Sequence, residues 1–182
     1  GSHFIRILLA EEADAQVVNL DVLTYAGNLA NLADVASSPR YRFVRGDIRD
    51  MKVAQELAAD ADWIVNFAAE SHVDRSTKAR AGEFIDTNVY GAYVMLEATR
   101  QVNRGARFLQ VGTDEVYGDV PFPEFPTEQA MLVPSSPYSA AKAGADHIAL
   151  AFHRTHQMDV IVSRCTNNYG PNQYPEKVIP VF

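Results

Sequence analysis

Tyr138 and Lys142 stand four residues apart in Tyr138-Ser139-Ala140-Ala141-Lys142, a spacing that puts both on one face of a helix. A phenol is a poor base near neutrality, because its reference pKa is about 10. A nearby ammonium favours the phenolate, as does further positive charge in the same cleft. Lowering the pKa by roughly 3 units needs about 4 kcal/mol of differential interaction. Close positive charges in a partly desolvated cleft can supply that. Such a phenolate can take the proton of a hydroxyl while a hydride leaves the same carbon. Tyr-x-x-x-Lys arises often by chance, and on a surface helix it is only solvated. Here it follows Pro134-Ser135-Ser136-Pro137 and an alternating series of β-type and helical segments, which sets it apart.

A second group lies upstream in Val111-Gly112-Thr113-Asp114-Glu115-Val116-Tyr117-Gly118, at the carboxyl end of a β-type run. Two adjacent carboxyls are costly to hold together, since one carboxylate raises the pKa of the other. The pair suits one protonated acid and one ionised base. The plain alternative is a polar turn after a strand.

The elements that must position these side chains alternate. β-type runs cover Gln16 to Leu20, Tyr41 to Val44, Trp63 to Phe67, Arg107 to Val111 and Val160 to Arg164. Several are apolar on both faces, as in a parallel sheet covered by helices. Asp50 caps an expected helix to about Ala59; others span about Glu83 to Val102 and Pro137 to His156. In the second of these, Ile85, Val89, Ala92, Leu96 and Thr99 recur at helical spacing, predicting a buried face. Alternating β and α segments predict an α/β fold with a doubly wound parallel sheet. Ligands then bind outside the carboxyl ends of the strands.

One such end carries Asp21. An acidic residue about 20 positions after the last glycine of a Gly-rich turn hydrogen-bonds the adenosine ribose of NAD. Gly1 stands at that distance, and Ser2 to Glu11 reads as the helix such a turn opens. Gly1-Ser2-His3 is therefore read as native sequence, with the first strand and earlier glycines outside this chain. An aspartate after a strand is as readily a turn former. Asp47 after the next run can hold the adenine edge, and Ala68-Ala69 can let the backbone approach a dinucleotide. Asp21 favours NAD over NADP, whose 2′-phosphate it would repel.

Composition narrows the class. The 182 residues are enough for one domain with a sizeable core. Sixteen basic against 23 acidic side chains give a net charge of −7, which disfavours nucleic-acid binding. A helix N-terminus can still bind an anion. Cys165 is the single cysteine, so no intrachain disulfide is possible, which fits a reducing cytoplasm. It reads as a small buried hydrophobe. No apolar stretch approaches the roughly 18 residues of a membrane span, and no signal-peptide or metal-ligand pattern stands out.

Taken jointly, the motifs resemble the extended short-chain dehydrogenase/reductase family, and within it the 4,6-dehydratases of nucleotide sugars. The stretches that carry the resemblance are Asp21 to Asn28, Ala68 to Ser76, Thr113 to Gly118, Tyr138 to Lys142 and Asn167 to Pro171. The last continues through Gln173 and Pro175-Glu176-Lys177-Val178-Ile179-Pro180. The resemblance implies a Rossmann-like, NAD-binding domain over residues 1–182 that lacks its first strand and its C-terminal substrate domain. Residues from about 166 onward would lead toward the substrate-binding portion.

The implied reaction is that of an NAD-dependent lyase converting dTDP-glucose to the 4-keto-6-deoxy sugar. Tyr138 would take the C4 hydroxyl proton as hydride passes from C4 to NAD. Glu115 would then abstract C5–H, Asp114 would protonate the departing C6 hydroxyl, and the hydride would return to C6. Thr113 would hydrogen-bond the C4 oxygen. Lys142 would hold the nicotinamide ribose and depress the Tyr138 pKa.

By the same resemblance Gly1, Asp21, Val22, Leu23, Thr24, Asp47, Ile48, Phe67, Ala68, Ala69, Glu70, Ser71, Thr87 and Asn168 line the NAD site with Tyr138 and Lys142. Ser71, Thr113, Asn167, Lys177 and Val178 would contact the sugar nucleotide. Glu70 and His72 read as supporting residues and not as catalytic ones. A homodimer through a four-helix interface of the Glu83 to Val102 and Pro137 to His156 helices is also implied. A related epimerase or decarboxylase, or a dehydratase for another nucleotide, competes with this reading. An epimerase needs no acid/base pair for C5 and C6, however. A non-catalytic NAD or nucleotide-sugar binding module would need none of Thr113, Asp114, Glu115, Tyr138 and Lys142 together.

Overall fold

The computed structural model describes residues 1–71, 77, 81–121, 123–176 and 178–181. It forms two compact units, Gly1–Asp47 with Asn167–Phe182, and Ile48–Thr166.

In the first unit, helix α1 (Ser2–Glu11) begins at Gly1 and buries Ile5 and Leu9. Strand β1 (Val17–Asp21) pairs in parallel with β2 (Tyr41–Arg45), Val17 opposite Tyr41 and Asp21 opposite Arg45. A 3-10 turn, Leu29–Leu32, is capped by the Asn28 side chain. Ile5, Leu9 and Leu32 form its core, with Val17, Val35 and Tyr41 packed against them. The last carbonyls of α1 have no partners within the helix. Arg40 supplies them, donating to Leu9 O at 2.7 Å and to Glu12 O at 2.9 Å.

The second unit runs α2 (Met51–Ala58), β3 (Trp63–Asn66), α3 (Ala81–Phe84), a π segment (Ile85–Gly91), α4 (Ala92–Val102), β4 (Arg107–Thr113), α5 (Pro137–His156) and β5 (Val160–Cys165). A short helix, α6 (Val178–Val181), follows in the first unit. Strands β3, β4 and β5 form a parallel sheet in that order. Helix α5 packs on β4 and β5, while α4 packs on α2 and α5. Phe84, Val94, Leu96, Phe108, Val116 and Met158 are its buried apolar core.

Among the described residues every strand pairing is parallel, as the βα alternation predicts.

Helix boundaries follow local chemistry. Ser136 and Ser139 form a capping box at the start of α5, Pro137 occupies its first turn, and Gln157 ends it at φ 57°. Pro fits that first turn because its N–H would lack an intrahelical partner anyway. Asp50 caps α2 by accepting from Lys52 N and Val53 N.

The expected single helix over Glu83 to Val102 requires correction. It is interrupted by the π segment, whose wider turn shifts the buried face by one position. Phe84, Asn88 and Gly91 face inward, and Ile85 is 56% exposed. Downstream, Ala92, Leu96 and Thr99 are buried as the spacing predicts.

Candidate active site

The acid–base residues all belong to the second unit, at the carboxyl end of β4. Thr113 ends that strand, and the 3-10 turn Asp114–Tyr117 follows at once. Thr113 Oγ1 accepts from Glu115 N at 3.3 Å and also meets Asp114 Oδ1 at 3.3 Å. One hydroxyl therefore starts the turn and touches its first carboxylate. Gly118 leaves the turn at φ 73°, and Val133 O lies 2.1 Å from where a Cβ would stand. Only glycine suits both the backbone angle and the space.

Tyr138 reaches this strand end from the first turn of α5. The Thr113 hydroxyl and the Glu115 and Asp114 carboxylates lie near enough to act on its phenol. Phe84 packs edge-on against its ring at 6.3 Å between centroids. Lys142, one turn along, is 4% exposed, and its Nζ donates to Val111 O at 2.6 Å. Thr113, Asp114, Glu115, Tyr138 and Lys142 are thus brought to one end of one sheet.

Their electrostatics differ from the sequence expectation. Burial pushes the Tyr138 phenol up to about 12, and Glu115, Cys165 and Asp114 push the same way, while Thr113 opposes them. The predicted depression by Lys142 is absent from this protein as it stands. Burial itself lowers the Lys142 pKa, with Asp146 and Cys165 opposing. Desolvation and nearby anions outweigh the single ammonium here. A phenolate at neutral pH requires additional positive charge beside Tyr138.

The loop after β3 is fixed from within the same unit. Asn66 Nδ2 donates to Gln110 Oε1 at 2.9 Å, tying β3 to β4, and Asn66 Oδ1 accepts from Ala68 N at 3.2 Å. Asn88 in the π segment exchanges two bonds with the Glu70 backbone. Phe67, Ala68, Ala69, Glu70 and Ser71 follow β3 directly, and Thr87 is half-buried in the π segment. Ile48 is buried against Gly91, where a Cβ would lie 2.4 Å from Ile48 Cδ1. A cavity of about 290 Å³ is lined by Thr77, Glu115, Gly118, Asp119, Ser135 and Ser136. A smaller one of about 180 Å³, lined by Leu29, Leu32, Ala36, Tyr41 and Phe43, is remote from these carboxylates in sequence and belongs to the first unit.

The remaining predicted cofactor residues lie in the first unit. Gly1 caps α1, and its carbonyl accepts from Ile5 N at 3.1 Å. The Asp21 carboxylate lies close enough to act on the Gly1 backbone. Asp21 Oδ1 accepts from Leu23 N at 2.7 Å, and Leu23 adopts φ 57°. An acidic group at the end of β1 and a glycine at the start of α1 thus share one neighbourhood. Val22 and Thr24 are exposed beside them, and Asp47 is half-buried after β2. Asn167 and Asn168 are exposed in the segment after β5. Val178 opens α6. Lys177, His72 and the rest of the 72–76 stretch lie outside the described residues.

Sequence spacing missed three groups that the structure puts beside this site. Asn88 holds the loop after β3, and Cys165 donates from Sγ to Gly112 O at 3.4 Å while being half-buried. Asp146 and Arg164 form an ion pair at 2.9 Å, with Asp146 against Gly112. Among the described residues no group of three or more His, Cys, Asp or Glu side chains could hold a metal ion. No helix of the described residues is long and apolar enough to cross a membrane.

The sequence matches the family model described as GDP-mannose 4,6 dehydratase over residues 1–182. It is 50% identical to a dTDP-glucose 4,6-dehydratase of Streptomyces niveus over 186 residues, covering 100% of this chain and 54% of that protein. It is also 50% identical to a low-salt glycan biosynthesis protein of Haloferax volcanii, covering 57% of it. A crystal structure of a dTDP-glucose 4,6-dehydratase from Streptomyces venezuelae with NAD bound superposes with a TM-score of 0.94 at 52% identity. That match covers 100% of this chain and 56% of the other. The chain therefore spans about half the length of the relatives it matches.

Proposed function

The chain belongs to the GDP-mannose 4,6 dehydratase family, and from that premise we propose that it is the NAD-binding catalytic portion of a nucleotide-sugar 4,6-dehydratase. The substrate is dTDP-glucose and the product is its 4-keto-6-deoxy form. The observation that carries this reading is the Thr113-Asp114-Glu115 turn lying against Tyr138, with Lys142 one helical turn away.

The residues of the first unit suit NAD: Asp21 ends β1 with an acidic group suited to a ribose diol, close to Gly1 at the head of α1. Asp21 to Thr24, Asp47, Ile48, Phe67 to Ser71, Thr87 and Asn168 would hold it. Bound NAD would supply a hydride acceptor at C4 and a donor at C6, and its positive ring would bring the kind of charge that favours the Tyr138 phenolate.

The chain's own groups do the proton work. Tyr138 Oη takes the C4 hydroxyl proton, and Thr113 Oγ1 orients that oxygen. Lys142, one helical turn from the phenol, would hold the ribose. Glu115 removes the C5 proton, acidified by the neighbouring ketone, and Asp114 gives a proton to the departing C6 hydroxyl. Two adjacent carboxyls beside one hydroxyl suit elimination better than epimerisation, which needs no acid/base pair beyond C4. Ser71, Asn167, Lys177 and Val178 contact the sugar nucleotide, and residues from about 166 lead toward its binding portion.

Pairing of two copies through residues 81–102 and 137–156 is part of the same reading. Tyr90 is 51% and Tyr93 39% exposed. They continue through Phe152 to His156 as a ladder of rings 5.1–6.2 Å apart, an apolar surface suited to a partner. The protein acts as a lyase in the cytoplasm.

Incubating the intact protein with dTDP-glucose should give the alkaline absorbance of a 4-keto sugar. Turnover of UDP- or GDP-hexoses alone would overturn the assignment of the base and leave the chemistry standing.

A further inference from the structure

The second unit holds a buried ion pair that the proton transfers above do not use. Asp146 lies two turns along α5 from Tyr138 and one turn from Lys142. It is fully buried, and Arg164 Nε donates to its Oδ2 at 2.9 Å. Arg164 Nη1 donates to Tyr117 Oη at 3.0 Å, and the guanidinium carbon lies 5.3 Å from the centre of the same ring. Tyr117 ends the 3-10 turn that begins with Asp114 and Glu115. Gly112 faces Asp146, for a Cβ there would lie 3.0 Å from Asp146 Oδ1. The pair therefore touches the strand that carries Thr113 and the turn that follows it.

We propose that Arg164 and Asp146 are positioning residues for the acid–base pair, Arg164 fixing the Asp114–Tyr117 turn through the Tyr117 hydroxyl and Asp146 fixing Arg164. The proposal rests on the dehydratase reading above.

Stability alone does not account for the pair. Its side chains are 13% and 0% exposed, and replacing such a buried pair by apolar residues is often neutral or stabilising. What it supplies is direction. A guanidinium is planar with donors in a rigid fork, so anchoring Nε on Asp146 sets where Nη1 points.

The turn is held from outside at Val116, which is fully buried and whose carbonyl accepts from Val133 N at 3.0 Å, and at the Tyr117 hydroxyl. It is only four residues long, and the two bonds that frame it are long. Glu115 N meets Thr113 Oγ1 at 3.3 Å, and Gly118 N meets Glu115 O at 3.2 Å. Catalytic groups must be held to about half an ångström. Arg164 contributes to that constraint by joining α5, which carries Tyr138 and Lys142, to the turn that carries Asp114 and Glu115.

The test uses the intact protein with dTDP-glucose and the variants Tyr117→Phe and Arg164→Lys. The first removes one hydroxyl and leaves the ion pair; the second keeps the charge and loses the fork. C4 oxidation is read from absorbance of the reduced nicotinamide, and the base step from solvent-deuterium exchange at C5.

In Tyr117→Phe, C5 exchange and kcat should fall roughly tenfold while C4 oxidation stays within about twofold and KM is unchanged. Arg164→Lys should impair the same step, and the double variant should add little to it. Equal loss of oxidation and exchange, or wild-type exchange in both variants, overturns the proposal. If the unsubstituted protein turns over no nucleotide hexose, the dehydratase reading itself falls and takes this one with it.

Discussion

Asn88 exchanges two hydrogen bonds with the backbone of Glu70, Nδ2 donating to the carbonyl oxygen at 3.0 Å and Oδ1 accepting from the amide at 2.8 Å. A side-chain amide here pairs with the chain as a neighbouring strand would. Asn88 is 2% exposed, so water does not compete for those bonds. The loop that leaves β3 is therefore set by the π segment.

Asn88→Ala removes both bonds at once and should cost about 1–3 kcal/mol of stability, from the desolvation of the groups left behind. NAD affinity, measured by calorimetry on the intact protein, should fall with it. Asn88→Asp keeps an acceptor for the Glu70 amide and should lie between. Unchanged NAD affinity in Asn88→Ala would remove Phe67 to Ser71 from the cofactor site.

Two glycines should respond differently to alanine. At Gly112 the new Cβ would lie 2.4 Å from Ser163 O, the backbone of the adjacent strand. At Gly91 it would lie 2.4 Å from Ile48 Cδ1, the free end of a flexible side chain. Gly112→Ala should cost about 3 kcal/mol or more, and Gly91→Ala about 1–2 kcal/mol, within the usual range for overpacking. Denaturant unfolding of both variants decides it, and the reverse order would contradict these contacts.

Much of this arrangement was legible because its signals are local. Ser136 and Pro137 mark the start of α5, and the ends expected from sequence, Pro137 and His156, are those observed. Tyr138 and Lys142 share a helix, and Asp114 and Glu115 are adjacent, so their chemistry could be read from spacing. Arg164 could not be read that way. It sits in an apolar β-run, and its partners Asp146 and Tyr117 are 18 and 47 residues away. The π segment was hidden for another reason, since Ile85 and Val89 keep α-helical spacing although the wider turn brings Asn88 inward. The Tyr138 shift depends on burial, which the spacing of Tyr and Lys does not reveal.

The Tyr138 phenol should leave a signature in alkaline stability. Its pKa is raised from 10 to about 12 in the folded protein, with burial the main cause. Its contribution is therefore complete below pH 10 and is lost as pH rises through about 12. Two units at about 1.4 kcal/mol each give roughly 2–3 kcal/mol. Relative to Tyr138→Phe, the protein should lose that much stability across the window in the absence of NAD. A constant difference between the two would contradict the burial of the hydroxyl.

Glu97 predicts the opposite limb. The Arg100 guanidinium bonds its carboxylate at 2.6 and 2.7 Å and lowers its pKa from 4.5 to about 2, burial opposing and Gln101 assisting. The gain is present above pH 4.5 and is lost as pH falls through about 2. The pair lies near solvent, Arg100 being 32% exposed, so screening should hold its worth to about 1 kcal/mol or less. Glu97→Gln should match the unsubstituted protein at pH 2 and fall slightly below it at pH 7 in thermal unfolding.

The π segment also constrains how this chain tolerates changes in length. Each residue of an α-helix turns the chain by about 100° and advances it by about 1.5 Å. A π turn holds about one residue more than an α turn, so removing one residue between Ile85 and Gly91 would let a plain helix form with Phe84 and Ala92 near their present directions. Which residue goes then decides the outcome, because Asn88 holds the Glu70 backbone from this stretch. A deletion that turns Asn88 away would release the loop after β3 while the apolar core stayed in register. This stretch should accept a single-residue deletion better than the α-helical turns that flank it.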